Sequence, residues 1–159
     1  MVLTLLLFLP CRDGSVLISD RLETSDTFAR HEKNKILVSK NSDFAIAGCD
    51  TDSTIEKIFA SIERNSDING DNVDRIFEEI TKEIFVDLKY ASEKIEKAYF
   101  LIMAFRDGHI LLYDAQVNGS GRPYISEKGI ESPLWRGDGE DLLEYLLKDK
   151  SYREMNVRN

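Results

Sequence analysis

The sequence predicts an α+β fold in which two antiparallel sheets are sandwiched between helix layers, a four-layer αββα arrangement. Three observations lead there. Strand signals fill the first 48 residues, helical periodicity fills the stretch from Asp52 to Ile95, and strand signals return at Ala98; blocks in this order mark α+β rather than alternating α/β chains. The opening segment is an unbroken apolar run and so needs cover on both faces. The helices are apolar on one side only, so each needs a sheet to lie on.

Each element has its own justification. Residues 2–10 (Val-Leu-Thr-Leu-Leu-Leu-Phe-Leu-Pro) read as a buried strand, and Arg12-Asp13-Gly14 turns it back into a second strand from Ser15 to Leu22. A polar stretch from Glu23 to Asn34 precedes two short strands, Lys35 to Ser39 and Phe44 to Gly48, separated by the turn formers Asn41-Ser42-Asp43. Ser53 with Glu56 forms a capping-box pattern, and Ile55, Ile58, Phe59 and Ile62 follow at helical spacing, ending near Asn65. A longer stripe comprises Val73, Ile76, Phe77, Ile80, Ile84, Leu88 and Ile95. Strands Ala98 to Phe105 and His109 to Val117 are joined by Arg106-Asp107-Gly108, a hairpin signature, and Pro123 to Ser126 supplies a third. A last helix is expected around Glu140 to Leu147, before a polar end.

Composition bounds the function. The 159 residues suit one domain spanning 1–159, and a chain this long buries roughly 70% of its unfolded surface without disulfides or a structural metal. With 29 Asp+Glu against 21 Lys+Arg and a net charge of −8, a nucleic-acid partner is disfavoured, because phosphate neutralisation needs a concentrated basic surface. Anionic membranes are disfavoured on the same ground. Two cysteines, Cys11 and Cys49, and two histidines, His31 and His109, cannot assemble the usual four-ligand zinc site. No cofactor is indicated, and a reducing cytoplasmic setting is the expectation. The apolar start lacks a signal peptide's basic leader and cleavage site, and Arg12-Asp13 ends it well short of the about 20 residues of a membrane span.

Two isolated constellations carry alternative chemistries. Asp67, Asn69, Asp71 and Glu78 occupy positions one, three, five and twelve of an EF-hand-like loop, but Asn72 stands at the sixth position, where glycine is required, and Arg75 at the ninth. The bland reading is a capping loop with Asp71 or Asn72 at the helix start. Cys49 beside Asp50 would be a thiol nucleophile, yet nothing nearby stabilises a thiolate, and an interior cysteine after an apolar strand is usually a small hydrophobe. Trp135, with Leu134 and Pro133, packs under the last helix or joins a contact surface.

A third constellation comes from a resemblance. Thr4 opens an apolar strand, Arg12-Asp13-Gly14 leads into Val16-Leu17-Ile18-Ser19-Asp20-Arg21, Lys35-Ile36-Leu37-Val38 follows, and Phe44-Ala45-Ile46-Ala47-Gly48 precedes the first helix. This order resembles the proteasome β-subunit family, the threonine members of the N-terminal-nucleophile hydrolases. The resemblance implies the αββα fold and a nucleophilic Thr4, whose hydroxyl is activated by its own α-amine, with a pKa near ~8. It further implies Lys35 as the ammonium that lowers the proton affinity of the site, Asp20 as the carboxylate that holds it, and a backbone N–H near Gly48 for the oxyanion. Asp138, in Gly137-Asp138-Gly139, stands where the family has serine, or else caps the last helix.

Met1-Val2-Leu3 precede Thr4, so the α-amine exists only after processing, and Leu3 stands where self-processing relatives carry glycine. The resemblance therefore implies a threonine peptidase acting on polypeptide substrates. Its alternative is a catalytically silent relative serving as an assembly or binding module. The chain stops at Asn159 before the family's closing strands, so an open sheet edge and association with copies or related subunits, as a homo-oligomer or ring, are expected.

Overall fold

The structure, a computed structural model, describes residues 5–19, 22–24, 30–32, 35–90, 97–118, 123–137, 148, 154, 156 and 157. In chain order the elements are β1 (Leu5–Cys11), β2 (Gly14–Ser19), β3 (Leu22–Thr24), β4 (Arg30–Glu32), β5 (Ile36–Val38), β6 (Phe44–Asp50), α1 (Asp52–Arg64), α2 (Val73–Tyr90), β7 (Ala98–Arg106), β8 (His109–Val117), β9 (Tyr124–Lys128) and β10 (Leu134–Gly137). A five-stranded sheet runs β5-β6-β7-β8-β9, a three-stranded sheet runs β10-β1-β2, and β3 pairs with β4 as a separate ribbon. All of these pairings are antiparallel.

Alternation along the central strands makes the two faces of the larger sheet. Phe44 and Ile46 of β6, Phe100 and Ile102 of β7, and Tyr113 and Ala115 of β8 face α1 and α2, which contribute Ile55, Ile58, Ile62, Val73, Phe77 and Ile80. Ala47, Cys49, Leu101 and Leu112 face the other way and bury Leu6 and Phe8 of β1. The β7–β8 turn places Asp107 at φ 52 and Gly108 at φ 77, two consecutive left-handed residues, as the twist of a two-residue hairpin demands.

The expected four-layer αββα sandwich is corrected here. The described chain is mostly β, with two helices, and both of them lie on the same face of the five-stranded sheet. Their one-sided stripes are spent on a single apolar layer. Among the described residues the second sheet has three strands, of which β2 and β10 are half-buried along almost their whole length, and no helix covers its outer face. The helix expected at Glu140 to Leu147 lies outside the described residues.

Smaller differences have local causes. The strand expected from Ser15 to Leu22 stops at Ser19, and Leu22–Thr24 instead pairs with Arg30–Glu32 inside the polar stretch. Leu134–Gly137 forms a strand on β1, placing Trp135 opposite Leu7. Helix α1 begins at Asp52, with Thr51 rather than Ser53 as its N-cap. At the α2 start, the Asn72 carbonyl accepts the Ile76 N–H, and the Asn69 N–H bonds Asn72 Oδ1 at 2.8 Å. Of the EF-hand-like residues, Asn69 accepts the Asp71 N–H on its Oδ1 at 2.9 Å within this capping turn, and Glu78 pairs with Lys82 at 3.0 Å.

Two polar devices tie the layers. Arg136 of β10 reaches across the sheets and pairs with both carboxylate oxygens of Asp114 on β8. At the far end of the large sheet, Gly70 donates to Asp43 Oδ2 at 2.8 Å, and its carbonyl accepts from Arg106 Nε and Nη2 at 3.1 and 3.0 Å. A Cβ on Gly70 would lie 2.4 Å from the Phe105 carbonyl oxygen and 2.7 Å from that of Asp43, so only glycine fits this crossing.

Candidate active site

Strand β6 ends where α1 begins, and the elbow between them builds the site. Gly48 sits deep in the elbow because a Cβ there would lie 3.0 Å from Ile55 and 3.1 Å from Phe100; the absent side chain lets α1 approach the sheet closely. Its N–H donates to the Lys35 carbonyl at 2.8 Å, extending the β5–β6 ladder by one residue. Its carbonyl accepts from the Ser19 hydroxyl at 3.4 Å, which brings the end of β2 onto β6.

Lys35 precedes β5 and is buried, only 2% exposed, with its Nζ 3.5 Å from Oδ1 of Asp52. An ammonium withdrawn from water this completely requires an opposite charge beside it. Asp52 stands in the first turn of α1, where the helix end favours an anion. Between Gly48 and Asp52, Asp50 adopts φ 87, a left-handed conformation that is costly for a residue with a side chain. Nearby, the Lys97 ammonium lies 4.6 Å from the Tyr99 ring centroid; Tyr99 foremost, with a smaller contribution from Asp50, holds it above the usual lysine range.

The strand register gathers the neighbours of the other predicted residues at this same end. Leu5 pairs with Gly137, and Leu6 pairs with Ser19, whose hydroxyl touches Gly48. Thr4, Asp20 and Asp138 themselves lie outside the described residues. Lys35 and Gly48 are brought together, through Lys35's own carbonyl. Sequence reasoning missed Asp52. Its signal was the Asp50-Thr51-Asp52 run at the helix start, which reads equally as dipole compensation.

Other features lie apart from this cluster. A cleft of about 600 Å³ bounded by Ser39, Asp43, Ile62 and Arg64 opens at the other end of β5. Cys49 is fully buried against the second sheet, as a small hydrophobe would be. Among the described residues no group of three or more His, Cys, Asp or Glu side chains could hold a metal ion, and no helix is long and apolar enough to cross a membrane.

Comparison with known proteins yields a fold. No protein-family model matches the chain, and no curated protein matches it. Among solved structures, the Anbu Gly-1 mutant from Hyphomicrobium sp. strain MC1 aligns with 98% of this chain and 69% of its own at 11% identity, with a TM-score of 0.70. Anbu from the same strain aligns with 97% of this chain and 69% of its own at 10% identity, TM-score 0.68. The Anbu complex from Pseudomonas aeruginosa, solved as a helical assembly, aligns with 97% and 68% at 11% identity, TM-score 0.72. The expected membership of the proteasome β-subunit family is therefore corrected: short motifs suggested it, no family model supports it, and what the chain shares with these structures is the fold of the Anbu proteins.

Proposed function

We propose that the chain cleaves peptide bonds by acyl transfer to the hydroxyl of Thr4, after the three residues before it are removed. The observation that carries this reading is a buried lysine, held by Asp52 and bonded through its carbonyl to Gly48, at the sheet end where Leu5 begins β1 and Ser19 ends β2. A positive charge placed there lowers the proton affinity of a nearby hydroxyl and amine.

In this reading the Thr4 α-amine takes the hydroxyl proton as the oxygen attacks the carbonyl carbon of a polypeptide. The proton then passes to the departing amine as the C–N bond breaks, leaving an ester on Thr4. Water cleaves that ester, releases the acid and restores the hydroxyl. Asp20 and Asp138 orient the lysine and the amine. Gly48 meets the oxyanion by exchanging its 2.8 Å bond to the Lys35 carbonyl for one to the substrate. Association with copies of the chain or related subunits, in the cytoplasm, belongs to the same proposal.

The engaged Gly48 N–H also favours a second reading, a silent subunit that keeps the fold for assembly or binding. Turnover of fluorogenic peptides by wild type and Thr4→Ala, with circular dichroism as the folding control, decides between them. Turnover that vanishes in Thr4→Ala supports the peptidase. Turnover unchanged by the substitution ends the role of Thr4.

A further inference from the structure

Lys35 holds both ends of the Gly48–Asp52 elbow. Its carbonyl accepts the Gly48 N–H at 2.8 Å, and its ammonium lies 3.5 Å from Asp52 Oδ1, with the two side chains 2% and 16% exposed. Between those anchors Asp50 is kept at φ 87, a conformation that persists only where its surroundings over-determine it. Thr51, the N-cap of α1, makes no side-chain cap bond among the described residues, and its carbonyl accepts the Ile55 N–H at 3.2 Å. The Asp52 carboxylate thus stands where the N-terminal end of α1 and a buried ammonium both favour negative charge.

We propose that Asp52 is a positioning residue: its ion pair with Lys35 sets the direction of the ammonium and, with it, the shape of the elbow that carries Gly48. The effect on rate rests on the Thr4 reading above. The orientation of the lysine does not, and it is measured separately.

The test uses the full chain with ¹⁵N-labelled lysine. The Lys35 ammonium signal is identified by its loss in Lys35→Arg and followed in Asp52→Asn, Asp52→Glu and Asp20→Asn. A buried, paired ammonium exchanges slowly with water, so wild type gives a protected signal. Asp52→Asn removes the protection, and Asp52→Glu, one methylene longer, keeps it at a displaced shift. In parallel, Asp52→Asn lowers kcat at least thirtyfold with KM within about twofold and moves the pH profile of kcat, whereas Asp52→Glu restores part of the loss; these rate effects follow from positional control of a charged group. A Lys35 signal unchanged in both Asp52 variants, or one that depends on Asp20 alone, overturns the proposal. Absence of Thr4-dependent turnover removes the Thr4 reading and leaves the resonance measurement to decide the orientation.

Discussion

Replacing Arg136 with methionine isolates the link between the two sheets. Asp114, on the inner face of the large sheet, has a side chain 8% exposed and receives both Arg136 Nε, at 3.2 Å, and Arg136 Nη2. Methionine fills the space of the aliphatic stem but donates nothing, so a buried carboxylate loses its bidentate partner. Breaking a buried pair from one side costs about 3–5 kcal/mol. Arg136 is itself 28% exposed, so water reaches the vacated position, and the lower figure of about 3 kcal/mol applies. Because β10 pairs with β1 from Leu5 to Phe8, the loss also loosens the end of β1 next to the candidate site. Urea unfolding of Arg136→Met and of the double variant Arg136→Met/Asp114→Leu measures both effects. The single variant should lose about 3 kcal/mol, and the double variant should recover most of it, since a well-packed apolar pair replaces a buried ion pair at little cost. A single variant within about 1 kcal/mol of wild type, or a double variant worse than the single, refutes the reasoning.

Two further substitutions test the far end of the sheet. Gly70→Ala drives a Cβ into two backbone carbonyls and breaks the crossing to Asp43 and Arg106; chemical denaturation should show a loss of about 3 kcal/mol, and a loss below about 1 kcal/mol would contradict the packing described. Ser39 donates to Asp43 Oδ1 at 2.6 Å and accepts the N–H groups of Asp43 and Phe44; this hydroxyl first, and the Gly70 N–H second, hold the Asp43 carboxyl below its usual value of 3.8. A carboxyl with a folded pKa below its unfolded value contributes stability that is present above the unfolded pKa and disappears as pH falls through the folded one. Ser39→Ala should therefore cost about 1 kcal/mol near neutrality and flatten the fall in stability below pH 3.8, read from urea melts across acid pH. An acid limb as steep as wild type would show that Ser39 does not set the Asp43 titration.

What the sequence revealed follows from the range of the interactions. The Asp107-Gly108 hairpin was readable because two adjacent left-handed residues are a local requirement. The Ile55, Ile58, Phe59 and Ile62 stripe was readable because 3.6-residue spacing identifies a buried face without naming its partner. That missing partner is why the layers were misjudged: a one-sided helix demands a sheet, but spacing does not reveal that α1 and α2 share one face. Strand β10, four residues paired with β1 across almost the whole chain, left no periodic signal. In the site, Lys35 and Gly48 could be paired through the motif order, whereas Asp52 was hidden in an acidic helix start whose ordinary explanation was sufficient. Short motifs also named too specific a family, because segments of four to six residues recur wherever the same strand ends are built.

Whether Thr4 is a nucleophile is decided by intact-mass measurement with N-terminal sequencing. Purified wild type and Thr4→Ala are incubated side by side and compared over time. A nucleophilic Thr4 should give loss of Met1-Val2-Leu3 from wild type, a new threonine N-terminus, and an unprocessed Thr4→Ala chain. Met1 retained in wild type while peptides are turned over, or the same trimming in Thr4→Ala, would contradict it.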